Sequence, residues 1–191
     1  MKTFPAAAAL LLIASACAGT ADNDTAAGPM PRPRAWPRTA VYPEIYSPVH
    51  QESDIETVAS LRVDQHTTPD GHRWYDIVYP AYRATLYLSD ITPGNEEKVA
   101  VALENRMERM ALNTGGRTSE KNSFITPAGY EATILITPSG SITPVQFAAA
   151  GQHRVVSGTF TLSHLPASAD SLAPTLRAVE RDIIHLIKCL R

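Results

Sequence analysis

The chain has 191 residues, 44% of them hydrophobic, and its 17 Lys and Arg against 19 Asp and Glu give a net charge of −2. That balance offers no basic excess, which argues against nucleic acid or anionic lipid headgroups as principal partners. Two cysteines, Cys17 and Cys189, are too few for a disulfide framework, and roughly 145 residues past the N-terminal segments suffice for one domain with its own core.

In chain order, Lys2 supplies a positive start, Ala6 to Ile13 an apolar run, and Ala14-Ser15-Ala16 a small-residue approach to Cys17. This is the secretory layout, and the apolar run is too short to span a membrane. A cysteine directly after the small residues resembles the bacterial lipobox, in which the thiol is acylated and the chain cut before it. An ordinary signal peptide with an incidental cysteine is the competing explanation. Residues 1–16 are therefore read as a lipoprotein signal peptide and Cys17 as the lipidation site, carrying acyl chains such as palmitate. The expectation is a cell-envelope protein anchored to the inner or outer membrane through Cys17 and facing the periplasm.

Residues 17–34 are poor in large aliphatic side chains and read as a flexible tether. The folded domain is expected over 35–191, opening with a Pro-rich arm. Six of the 15 prolines lie between Gly28 and His50, so the arm is extended and donates few backbone hydrogen bonds. Composition leaves open whether it lies along its own domain or is presented to a partner. Arg32, Arg34, Trp36, Tyr42 and Tyr46 are the candidate contact residues, because aromatic and arginine side chains supply interface hot spots.

Ile55 to Val63, Trp74 to Tyr79 and Ala84 to Leu88 alternate in the manner of strands, with Pro69-Asp70-Gly71 as a hairpin turn and Pro80 as a bend. A helix follows, capped by Asn95 and stopped by Gly115-Gly116, with Val99, Leu103, Met107 and Met110 on one face. Tyr130 to Ile136, Val145 to Ala150 and Val155 to Ser163 are three further strands. A second helix runs from about Asp170 to Leu190, with Pro174 expected in its first turn. The order β-β-β-α-β-β-β-α with short connections predicts a single-domain α+β fold, an antiparallel sheet covered by two helices.

Chemistry-bearing motifs are weak. Asp64, His66, Asp70 and His72 match no zinc spacing and straddle a turn, so they read as a solvated loop. Ser139-Gly140-Ser141 reads as a hairpin turn, and His153 and His164 as exposed strand-end residues. Glu104, Arg106, Glu108 and Arg109 read as a solvated helix face, and Cys189 as a packing residue. The expectation is a protein that is not an enzyme, with no catalytic residues, no metal and no cofactor.

Several strings taken together resemble a known family: Pro31-Arg32-Pro33-Arg34 with Tyr42-Pro43, Tyr79-Pro80 leading into Ala84-Thr85-Leu86-Tyr87-Leu88, Gln146-Phe147, the run from His153 to Thr161, and Asp170-Ser171-Leu172-Ala173-Pro174. Their order and spacing are similar to those of the gliding motility lipoprotein GldD family of Bacteroidota, from about Pro31 to the C-terminus. The resemblance implies a non-enzymatic, membrane-anchored component associated with gliding motility and type IX protein secretion. Its implied partners are other envelope proteins of that machinery. The alternative is a periplasmic binding lipoprotein for a small apolar or lipid ligand held between sheet and helices.

Overall fold

The alternating runs pair into a seven-stranded antiparallel sheet in the computed structural model, which describes residues 41–165 and 168–191. A short ribbon comes first: β1 (Tyr46–Pro48) pairs antiparallel with β2 (Glu56–Val58). The sheet then takes β3 (Arg62–Thr67), β4 (Arg73–Tyr79) and β5 (Ala84–Ile91) before α1 (Glu96–Asn113). After α1 come β6 (Glu120–Ile125), β7 (Glu131–Ile136), β8 (Val145–Ala150), β9 (Val155–Leu162) and finally α2 (Ala169–Cys189). The spatial order β3-β4-β5-β9-β8-β7-β6 consists of two meanders joined where β5 pairs with β9.

The α+β class and the two helices agree with expectation, and the structure adds strands. The run from Ile55 to Val63 divides into β2 and β3 at exposed Ala59 and Ser60, where the Leu61 N–H donates to the Val58 carbonyl. Val58 and Leu61 both turn toward the interior. A spacing of three cannot put two side chains on one face of a continuous strand, so the chain must turn. Strand β6 has no apolar alternation to reveal it. It is a largely exposed edge of charged and polar residues, held to β7 through its backbone. The hairpin at Pro69-Asp70-Gly71 joins β3 to β4, with Gly71 at φ 81°.

Alternate residues of the central strands send the two helices to opposite faces. Phe147, Ala149, Val156 and Phe160 join Tyr75, Ile77, Leu86 and Leu88 in the main core, which α2 closes with Leu172, Leu176, Val179, Ile183 and Ile187. Gln146 faces the other way, and its Nε2 donates to the Met110 carbonyl of α1 (3.2 Å). Strand β8 is consequently buried along both faces. Connectivity demands this arrangement: α1 carries the chain from central β5 across one face to the far edge at β6. The other face is left for α2.

Asn95 caps α1 through its side-chain oxygen, which accepts from the Lys98 N–H (2.9 Å), and Ser168 caps α2 in the same way toward Ser171 (3.2 Å). Since α2 starts at Ala169, Pro174 lies one turn further in than its expected place in the first turn. The cost is one helical bond, the donor missing opposite the carbonyl of Asp170; that residue is exposed, so water can take it up. Within the described residues no helix is long and apolar enough to cross a membrane.

Candidate functional site

The part of the arm that is described lies against its own domain. Tyr42 packs edge-on to Tyr79 and Tyr82, with ring centroids 5.8 and 5.2 Å away, and its hydroxyl accepts from the Ala81 N–H (2.9 Å). Tyr46 stacks on His185 at 3.7 Å, and its hydroxyl donates to Oδ1 of Asp182 (2.8 Å). Arg181 also donates to that oxygen and bridges to Glu44 (2.6 Å). Asp182 is buried and its Oδ2 has no partner. Burial raises its pKa, outweighing the hydrogen bonds from Arg181 and Tyr46. Burial and the adjacent Asp182 likewise push the Tyr46 hydroxyl up to about 12. Of the expected contact residues, Tyr42 and Tyr46 are thus partly engaged within the chain. Arg32, Arg34, Trp36 and the lipidation site Cys17 lie outside the described residues.

Next to Tyr46, three side chains converge. His185 and Cys189 stand one turn apart on α2, and Glu56 reaches them from β2. Nε2 of His185 is 2.8 Å from Oε2 of Glu56 and 3.5 Å from Sγ of Cys189. Both partners address the same ring nitrogen. A nucleophile–base–orienter triad needs the two ring nitrogens engaged separately, so this is not that arrangement. The His185/Cys189 spacing is visible in the sequence as an i, i+4 pair, but Glu56 is 129 residues away along the chain and nothing local marks it.

A second feature occupies the half of the sheet that α1 leaves uncovered. Trp74 on β4 is 48% exposed and Tyr87 on β5 is 50% exposed. They are diagonal neighbours, since Trp74 pairs with Ser89 and Asp76 with Tyr87. Arg106 departs from the solvated helix face that its sequence context suggests. Its long side chain turns under α1, where Nη2 donates to Oγ of Ser89 (3.1 Å), which itself bonds to Ser157 (2.9 Å). Burial first, and then neighbouring Arg109, pull its pKa down. No carboxylate among the described residues lies within ion-pairing distance of it.

The residues weighed from sequence for catalysis do not gather. His66 lies on β3, 4.0 Å from Asp76, while His72 sits beyond the turn. His153 is exposed in the β8–β9 turn, and among the described residues His164 bonds only to adjacent Ser163. Ser141 accepts from the Thr143 N–H (3.1 Å), as a turn-forming serine does. Met110 is core and Met107 lines a groove of about 450 Å³ between α1 and β6–β8, with Leu103, Ile125, Thr133 and Ala148.

The family description "Gliding motility lipoprotein GldD" matches residues 26–191. The chain belongs to the GldD family. The match spans the whole described domain as well as the Pro-Arg segment before it, and GldD membership identifies the chain as a lipoprotein of gliding motility. No curated protein and no solved structure matches it.

Proposed function

We propose that this protein is a non-enzymatic lipoprotein, anchored through acylated Cys17, that presents a protein-binding surface to the envelope machinery of gliding motility and type IX secretion in Bacteroidota. The observation that carries this reading is that Trp74 and Tyr87 stand exposed on the open half of the sheet, with the Arg106 guanidinium beside them on Ser89, the residue that pairs with Trp74. These are the residue types that dominate binding energy at interfaces. A half-buried guanidinium without a carboxylate asks for one from outside, because a desolvated charge gains most when paired. The partner is therefore a protein that sets an acidic side chain against Arg106 and apolar surface against the two aromatics. The arm from Arg32 through Arg34, Trp36, Tyr42 and Tyr46 is a further contact region, and the signal peptide 1–16 and tether 17–34 deliver the domain to its membrane.

Photocrosslinking residues placed at positions 74 and 87 in native membranes test this. Both are expected to capture the same envelope protein, with exposed Lys188 of α2 as the control position. Equal capture from position 188, or no discrete product from 74 and 87, rejects the surface.

The groove beside α1 favours a second reading, a binding lipoprotein for a small apolar or lipid ligand. It expects about one lipid per chain to co-purify and Ala148→Trp, which fills the groove, to abolish that. Lipid extraction followed by mass spectrometry decides the matter, and substoichiometric lipid removes this reading.

A further inference from the structure

We propose that Glu56, His185 and Cys189 form a zinc site that clasps the β1–β2 ribbon to α2. Their ligand atoms all lie within 4.8 Å of one another. A carboxylate oxygen, an imidazole nitrogen and a thiolate sulfur are the donor types zinc takes, whereas calcium and magnesium take oxygen alone. With Zn–N of about 2.0 Å and Zn–S of about 2.3 Å, a tetrahedral site separates nitrogen and sulfur by roughly 3.5 Å. The Cys189–His185 distance is already 3.5 Å. The Glu56–His185 distance of 2.8 Å must open by about half an ångström, which a flexible, half-exposed Glu side chain allows.

The ring is already oriented by stacking on Tyr46, 3.7 Å away with planes 14° apart. Residues four apart on a helix share one face, so α2 presents imidazole and sulfur together without rearrangement. All three ligands are partly exposed, leaving a path for the ion to enter and a fourth position for water. One other feature argues for coordination over bare hydrogen bonding. Glu56 and Cys189 compete for one nitrogen, whereas a metal at their common centre satisfies all three at once. Metal binding to the thiol releases its proton to solvent and changes no oxidation state. The ion joins positions 56 and 185, and the ribbon they fasten carries Tyr46 and follows the arm.

The test uses the full-length chain in detergent, stripped with chelator and titrated with Zn²⁺ alone, then with Co²⁺ as a coloured probe. The expected result is one Zn²⁺ per chain, a raised Tm, and a thiolate-to-cobalt absorption band. Cys189→Ser is expected to remove that band, and His185→Ala and Glu56→Gln to weaken Zn²⁺ binding at least about tenfold. Mg²⁺ and Ca²⁺ are expected to leave Tm unchanged. Should His185→Ala fail to fold, the cobalt spectrum of the wild type and of Cys189→Ser still decides. Absent stoichiometric Zn²⁺, binding untouched by Cys189→Ser, or a cobalt spectrum without the thiolate band overturns the site.

Discussion

Arg154→Met is expected to destabilise the domain by about 3–5 kcal/mol, the range for breaking a buried ion pair. Two carboxylates depend on this guanidinium. It holds Asp54 through two bonds of 2.6 and 3.0 Å and Asp90 through two more of 2.7 and 3.0 Å. Asp90 is 2% exposed and would keep only Arg73, at 2.6 Å. Asp54 also accepts from the backbone N–H of Arg191 (2.9 Å), so the same cluster fixes the chain end beyond α2. Urea unfolding should show a lower midpoint at unchanged slope, and Tm should fall by on the order of 10 °C. Arg154→Lys restores charge without either two-pronged contact and should recover only part of the loss. An Arg154→Met variant within about 1 kcal/mol of wild type would show that the cluster is not a structural clamp.

The same cluster has a pH signature. Burial opposes ionisation of Asp54, but hydrogen bonds from Arg154 and the Arg191 backbone outweigh it, holding the carboxyl below its usual 3.8. A depressed folded pKa contributes stability above pH 3.8 that disappears as pH falls through the folded value. Arg154→Met removes the larger cause of the depression and leaves the Arg191 backbone bond, so acid unfolding should move to higher pH. Asp182 has the opposite sign. Its raised pKa favours the fold below the ordinary carboxyl value and ceases to do so as pH rises through the folded one. Its contribution therefore partly offsets that of Asp54 during acid titration.

Gly158→Ala is expected to cost about 2 kcal/mol, even though alanine in a strand ordinarily gains 0.5–1 kcal/mol over glycine, roughly speaking, through chain entropy. A Cβ at position 158 would stand 2.5 Å from Cε1 of Phe147 and 3.1 Å from the Tyr87 carbonyl oxygen. Phe147 is fully buried between β7 and β9 and has nowhere to retreat. The overlap with a ring and a backbone atom outweighs the entropy gain. Combining Gly158→Ala with Phe147→Leu should cost less than the two changes summed, because the shorter side chain vacates the collision. Rescue should be incomplete, since the Tyr87 carbonyl remains. Strict additivity in chemical denaturation would show that the two positions do not meet.

Short-range chemistry in this chain speaks through the sequence alone. Asn95 followed by Glu96 and Glu97 starts a helix, Gly115-Gly116 stops it, and Pro69-Asp70-Gly71 turns a hairpin, each through contacts within a few residues. The apolar stripe of α2 likewise follows from its period. The collinear strings from Pro31 onward carry the family, and 26–191 is the segment that matches it. Edge strand β6 escapes because an exposed strand needs no apolar face, and β2 and β3 merge in the sequence because Val58 and Leu61 both count as apolar.

Only the tertiary structure decides what depends on distant pairing. The registration of β5 on β9 sets Asp90 beside Val156 and brings Arg154 to it. The crossover of α1 assigns the helices to opposite faces, leaves Trp74 and Tyr87 uncovered and draws Arg106 under the helix. Glu56 meets His185 across 129 residues, a separation that no periodicity can encode. The physical reason is that caps, turns and amphipathic stripes are local in the chain, whereas a site assembled from separate strands and helices exists only once the core has fixed their register.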